Sequence, residues 1–375
     1  MAVPAPARPY RVLICDDQPD VLHAMQLLLK GQGYEAVTVE SPRALLREAR
    51  SDAFDLILAD LNYTRDTTSG QEGMDLLASL EAQGNTVPVV VMTAWGNVDL
   101  AVEAMRRGAC DFVQKPWDNE RVLAAVRKQA ASERRRQSEL EIAATVQQKL
   151  FPRAARQLRT IDYAGQCVAA RGVGGDYYDF LDLGEDSLGF VLADVSGKGI
   201  PAALLMANLQ ACFRAQAGAG FRRPAELLEI VHRQFYSSSG SDRFATLFFG
   251  SYDDRTRRMR YVNCGHCAPL LLKAGGVSIW LEPTATMLGA FEEWNCTEEE
   301  VSLDAGDTLL LYSDGVTEAT DAGGGEFGVD RLARILHQSS APAAGNLVRQ
   351  IVKEVSTFSG ATLADDVTVV AIRGI

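Results

Sequence analysis

Carboxylates recur in this chain at positions where several could meet. Asp176 lies in GGDYYDF, Asp194 in FVLADVSGKG, Asp314 in LLLYSDG, and Asp365 and Asp366 in ADDVTVV. Asp194 and Asp314 end apolar runs of strand character, 190–193 and 309–313, and the Asp365–Asp366 pair directly precedes another, 367–372. A buried strand delivers the residue at its end to the rim of its sheet, so acids far apart in sequence can converge. Converging carboxylates repel and raise one another's pKa unless a cation neutralises them. All-oxygen donors suit hard divalent ions, Mg²⁺ or Mn²⁺. Two such ions sharing a water would lower its pKa and aim it at a phosphorus atom, with no need for a side-chain nucleophile.

A second set lies nearer the N-terminus. Asp16 and Asp17, Asp60, Thr93 and Lys115 each stand at the end of a short apolar run. Asp16 or Asp17 together with Asp60 can hold Mg²⁺. Asp60 can then attack a phosphoryl group, while Thr93 hydrogen-bonds it and Lys115 pairs with its charge.

The elements that must position these residues follow from periodicity. Residues 9–130 alternate strand-like runs (11–15, 36–39, 56–59, 89–93, 111–114) with amphipathic helical segments such as 21–30 and 98–107. This predicts an α/β domain with a five-stranded parallel, doubly wound sheet, its site at the carboxyl ends of the strands. A helical connector is predicted over 119–150, with an apolar stripe of Leu140, Ala143, Val146 and Leu150. Such a helix could pair with a second copy as a coiled coil, making a homodimer. The Arg134–Arg136 run reads as a solvated face. The domain over 151–375 shows strands (164–169, 188–193, 245–252, 259–263, 269–273, 308–313, 367–372) and two helices, 201–215 and 223–235. This pattern predicts an α+β two-sheet sandwich. In the first helix, Leu204, Leu205, Leu209, Cys212 and Phe213 are expected to face the sheet. Residues 1–8 form a Pro/Ala tail.

Composition narrows the function. Hydrophobic residues are 47% and charged residues 23% of 375, as in ordinary globular proteins. A formal charge of −12 argues against nucleic acid or anionic membrane as a partner. Seven cysteines without a disulfide framework favour a reducing cytoplasm. No apolar segment suggests export or membrane spanning. SGKG at 196–199 lacks the first Gly and the Ser/Thr of a phosphate-binding loop. Cys264 and Cys267 precede a strand, unlike a redox CxxC, and read as packing. GGDYYDF resembles a diguanylate cyclase hairpin, but Tyr177 stands where that hairpin needs an acid.

Over residues 10–130, the DD pair, the strand-end Asp60, MTAWG and DFVQKPW resemble bacterial response-regulator receiver domains. The resemblance implies that Asp60 is the phosphoacceptor for a sensor histidine kinase. Asp17 would be the main Mg²⁺ ligand, with Asp16 beside it and the Asn62 carbonyl contributing. Thr93 and Phe112 would form the switch pair. The loop after the Asp60 strand, NYTRDTTSGQEG, is longer than is common in receivers and could alter access or partner choice.

From about residue 145, VQQKLFP, ARGVGGDYYDF, LADVSGKGIPAALLMA, FATLFFG, NCGHCAPLLL, LLLYSDGVTEA and ADDVTVVAIR resemble another family. These are the metal-dependent Ser/Thr phosphatases of protein phosphatase 2C fold, in the bacterial branch of stage II sporulation protein E and RsbU. The resemblance implies two Mn²⁺ or Mg²⁺ ions bridged by Asp194, with the Val195 carbonyl on the second. Asp314 and Asp365 would complete the first ion's shell, and Asp176 would hold metal-bound waters. Asp366 stands where many eukaryotic members have Asn and is the reserve ligand. Ser196 replaces a His proposed there as general acid, and Arg171 is a candidate phosphate contact. The implied substrate is a phosphorylated anti-sigma-factor antagonist of STAS type, or a similar regulator. A catalytically silent phosphatase fold serving as a phospho-regulated binding module is the alternative.

Overall fold

A computed structural model describes residues 8–51, 54–63, 70–94, 98–152, 156–184, 186–216, 223–240, 242–339, 343–360 and 363–375. Most of the Pro/Ala tail, residues 64–69 of the long loop after Asp60, and Trp95 and Gly96 lie outside the described residues. The chain divides into two compact units, Met1–Glu139 and Leu140–Ile375.

In the first unit the order is β1 (Arg11–Cys15), α1 (Pro19–Lys30), β2 (Glu35–Val39), α2 (Pro42–Ser51), β3 (Leu56–Asp60), α3 (Gln71–Ala82), β4 (Val89–Ala94), α4 (Val98–Arg106), β5 (Asp111–Lys115) and the start of α5 (Asn119–Gln148). The strands pair in parallel in the order β2-β1-β3-β4-β5. Strand alternation divides the core between the two faces. Val12, Ile14, Leu56 and Leu58 pack against Leu22, Met25, Val122 and Val126 of α1 and α5. Leu13, Cys15, Ile57 and Ala59 pack against Leu45, Leu76, Leu77 and Ala104 on the other side. Each such buried Leu, Ile or Val contributes roughly 1.5–3 kcal/mol.

Arg134 corrects the expectation of a solvated basic face. Its guanidinium donates to the buried Asp55 carboxylate at 2.9 and 3.1 Å and to the carbonyls of Arg8 and Pro9. It also lies 3.9 Å over the Tyr10 ring. A guanidinium fork that finds a buried carboxylate and an aromatic face leaves the solvent.

The second unit contains β6 (Ile161–Val168), β7 (Tyr177–Gly184), β8 (Ser187–Val195), α6 (Ile200–Gln216), α7 (Pro224–Ser239), β9 (Ala245–Asp253), β10 (Arg258–Cys264), β11 (Leu270–Leu272), β12 (Ser278–Trp280), β13 (Glu299–Ser302), β14 (Thr308–Tyr312), α8 (Asp314–Thr317), α9 (Val329–Gln338), α10 (Ala344–Ser359) and β15 (Val367–Gly374). Two antiparallel sheets form, β13-β10-β9-β8-β7 and β12-β11-β14-β15-β6. Their facing sides interleave Phe190, Phe248, Tyr252 and Tyr261 with Leu309, Leu311, Val370 and Ile372. Residues of α6 and α7, including Phe213 and Phe235, cover the outer face of the first sheet. Leu332, Leu347, Ile351 and Val355 of α9 and α10 cover the other. The result is a sandwich of two sheets between helical layers.

Two stripes differ from expectation. On α6, Leu205, Leu209, Cys212 and Phe213 pack inward with Ala202 and Met206, but Leu204 is 67% exposed. On α5, Val146 is 55% exposed while Gln147 is buried. Leu140, Ala143 and Leu150 are half-buried. The inward face runs at positions 140, 143, 147 and 150, so the polar Gln147 takes the place read for Val146.

Candidate phosphoacceptor and metal-binding sites

In the first unit, Asp16, Asp17 and Asp60 each bring a carboxylate oxygen within 4.8 Å of the others. They stand at the carboxyl ends of β1 and β3. Lys115, ending β5, reaches across with Nζ 2.6 Å from Asp16 Oδ2 and 2.8 Å from Asp60 Oδ2. Burial raises the Asp60 pKa above its ordinary value, and the Lys115 charge opposes this. Burial works against the Lys115 ammonium, yet the two aspartates outweigh it and its pKa rises. Asp60 Oδ1, Asn62 Oδ1 and Thr93 Oγ1 are buried without hydrogen-bond partners among the described residues. Three clustered carboxylates and an orphaned Asp60 oxygen fit a bound Mg²⁺. Phe112 is half-buried on β5, with the Arg121 guanidinium 5.7 Å from its ring.

In the second unit the acids gather at one rim of the sandwich. Asp194 comes from β8 in one sheet. Asp314 follows β14, and Asp365 and Asp366 precede β15, in the other. Burial pushes the Asp194 pKa up to about 7, helped by the charges of Asp314, Asp365 and Asp366 and opposed by Lys198. Burial and Asp365 likewise raise Asp314. Asp176, just before β7, is raised well above the carboxylate range by burial and by Asp194. Its Oδ2 accepts a hydrogen bond from Thr368 Oγ1 at 2.5 Å. Carboxylates that strain against their own charge form a donor set suited to hard divalent cations.

The adjacent aspartates are held differently. Asp366 accepts from the Ala170 and Gly175 amides at 2.8 and 2.9 Å, committing both its oxygens to the backbone. Asp365 instead pairs with Lys198, Nζ to Oδ2 at 2.7 Å, and its side chain is 43% exposed. Val195 ends β8, and its amide donates to the Gly175 carbonyl at 3.3 Å. Arg171 is exposed and borders a small recess with Lys198, Asp365 and Asp366.

An open cleft of about 360 Å³ adjoins the acids, lined by Asp194, Ser196, Phe244, Thr246, His266, Cys267 and Asp314 among others. Ser196 Oγ accepts from the Phe244 amide at 3.0 Å and serves the local backbone. His266, between the two cysteines of CGHC, is a cleft residue that the sequence pattern does not single out. Its Nδ1 lies 2.9 Å from Thr246 Oγ1, and Nε2 makes no hydrogen bond of good geometry. Burial pushes its pKa down to about 4, against the Tyr312 backbone. Its imidazole is therefore neutral at pH 7. Lys198, in the SGKG segment that does not form a phosphate loop, pairs with the Asp365 carboxylate. Cys264 is buried at the end of β10 and Cys267 half-buried beyond it, both free thiols.

Among the described residues no helix is long and apolar enough to cross a membrane. The family profile for stage II sporulation protein E (SpoIIE) matches residues 184–374, just over half of the chain, and that for the response regulator receiver domain matches 12–127. The first match contains Asp194, Asp314, Asp365 and Asp366. Phosphoserine phosphatase RsbU of Bacillus subtilis (strain 168) is 29% identical over 237 residues, 63% of this chain and 70% of that protein. Protein IcfG of Synechocystis is 26% identical over 62% of this chain but only 41% of its own length. The SiaA-PP2C domain of Pseudomonas aeruginosa is 20% identical, with a TM-score of 0.57 over 65% of this chain and 99% of that one, which shows the shared fold. With its sandwich matched in sequence and its N-terminal sheet matched separately, the chain belongs to the SpoIIE family and carries a response regulator receiver domain ahead of the phosphatase-fold domain.

Proposed function

We propose that this protein is a metal-dependent serine/threonine phosphoprotein phosphatase whose activity is set by phosphorylation of Asp60. The observation that carries the reading is the convergence of Asp194, Asp314 and Asp365 from two sheets, with Asp194 pushed up to about 7 by its surroundings. Bound Mn²⁺ or Mg²⁺ ions would supply a water acidified for attack on phosphorus. Asp194 and the Val195 carbonyl would hold them, together with Asp314 and Asp365, while Asp176 would fix metal-bound waters. Asp366 would brace the Gly174–Gly175 turn, since its oxygens already serve two backbone amides. Lys198 and Arg171 border the same rim and offer positive charge to a phosphoryl group. Ser196 accepts from the Phe244 amide and is a far weaker acid than the His it replaces, so solvent is the proton source we assign to the leaving oxygen.

In the receiver, Mg²⁺ on Asp17 and Asp60 would offset phosphoryl charge while Asp60 attacks, with Lys115 pairing the product. A sensor histidine kinase would be the donor. The relative RsbU bears the name of a phosphoserine phosphatase. A phosphoserine or phosphothreonine on an anti-sigma-factor antagonist, or a similar regulator, is the substrate class we assign. Manganese-dependent phosphate release from a phosphoserine protein, cut by orders of magnitude in Asp194→Ala, is the expected result. A chain that binds phosphoprotein without releasing phosphate would instead be a binding module.

A further inference from the structure

Helix α5 begins in the first unit and ends in the second, and its last turn carries a buried amide. Gln147 is 8% exposed on a stretch whose neighbours Val146 and Gln148 face outward. Its Nε2 donates to the Gly174 carbonyl at 2.8 Å, and its Oε1 accepts from the Gly174 amide at 3.1 Å. The side chain thus pairs with both backbone groups of one residue, the N–H and the C=O of Gly174, as a neighbouring strand would. A buried amide is costly unless both its halves are paired, so this geometry is strongly specified.

Gly174 is the first residue of the turn that leads to Asp176. A Cβ at Gly174 would collide with the Asp366 carboxylate, and one at Gly175 would lie 2.6 Å from the Val195 carbonyl oxygen. Gly175 donates to Asp366 at 2.9 Å and accepts from the Val195 amide at 3.3 Å. The turn is therefore held between the end of α5, Asp366 and the strand end that bears Asp194. No slack separates Gln147 from the acidic cleft. Leu150, just beyond α5, accepts from Gln210 of α6 at 3.3 Å, a second tether from the same segment.

We infer that Gln147 is a positioning residue for the metal cleft, and that it is the point at which a displacement of α5 reaches the Gly174–Asp176 turn. The inference rests on the reading that this cleft binds divalent metal. A shift in the last turn of α5 must either carry Gly174 with it or break both hydrogen bonds. Either event changes the relative free energy of two cleft states, which is what coupling between distant sites requires.

Calorimetric titration of Mn²⁺ into the full chain tests this, in an Asp17→Ala background that silences the receiver site. Gln147→Met keeps the length and removes the amide; Gln147→Glu keeps the acceptor and removes the donor. Both should bind Mn²⁺ about tenfold more weakly than the Gln147 chain, at a temperature where circular dichroism shows each folded. A purely structural role would lower the melting temperature and leave the affinity of the folded protein unchanged. Equal affinity in either folded variant overturns the positioning role. With Asp17 restored, acetyl phosphate should alter turnover in the Gln147 chain by a larger factor than in Gln147→Met; an equal factor overturns the coupling role. Absence of Mn²⁺ binding in the Asp17→Ala chain with Gln147 intact would refute the proposed function instead.

Discussion

Lys198 places its ammonium 2.7 Å from Asp365 at the mouth of a cleft whose other acids raise one another's pKa. The lysine lies four residues after Asp194, in the loop that leads into α6. A cation already at Asp365 competes with any metal that uses the same carboxylate. Both partners are about half exposed, so the pair is weak, of the order of 0.2–1 kcal/mol. Lys198→Met should therefore tighten Mn²⁺ binding by at most about fivefold in calorimetry. Weaker binding in that variant would mean that Lys198 helps to build the site.

Without metal, stability should fall as pH rises. The folded chain keeps a proton on Asp194 up to about pH 7, whereas an ordinary aspartate releases it near 3.8. Asp176, Asp314 and Asp366 shift in the same direction. Between these limits the folded state holds more protons than the unfolded state, so each added pH unit costs up to about 1.4 kcal/mol per such group. In EDTA, the unfolding temperature of the phosphatase unit should drop between pH 5 and pH 8. Mn²⁺ should restore it more at pH 8, where it need not displace protons. A metal-free unfolding temperature that climbs over that range would contradict the convergence of the acids.

The two neighbouring aspartates should fail in different ways. Asp365→Ala should lower Mn²⁺ affinity and turnover strongly, with little change in unfolding temperature. Asp366→Ala strands the Ala170 and Gly175 amides, each costing about 1–3 kcal/mol if left unpaired. Its main effect should be a lower unfolding temperature, with a smaller loss of turnover. The reverse pattern would exchange their assignments.

Strands that alternate or run apolar were legible in the sequence, and so were the acids at their ends. Strand β7 was not, because YYDFLDLG mixes charge with aromatics; its buried Asp179 is paired by Arg214 of α6 at 2.6 Å and by the Tyr177 hydroxyl at 2.8 Å. Only two helices were expected in the second unit, and α8, α9 and α10 are additional. Gln147 lies in phase with Leu140, Ala143 and Leu150, but its polarity masks it beside Val146, which fits an apolar pattern. Arg134 read as a surface charge because its partner Asp55 is 79 residues away. Contacts of that kind depend on tertiary placement, which local periodicity does not encode. His266 belongs to the same class, since its partner Thr246 lies on strand β9 and nothing in CGHC itself signals the contact.

The most direct measurement is phosphate release from a phosphoserine protein substrate by the full chain in Mn²⁺, with and without acetyl phosphate and Mg²⁺. The wild-type chain should take label on Asp60 and change its turnover when labelled. Asp60→Asn should take no label and keep one constant rate under both conditions, and Asp194→Ala should take label but release almost no phosphate. A wild-type rate that is the same whether or not Asp60 is phosphorylated would contradict receiver control of the phosphatase.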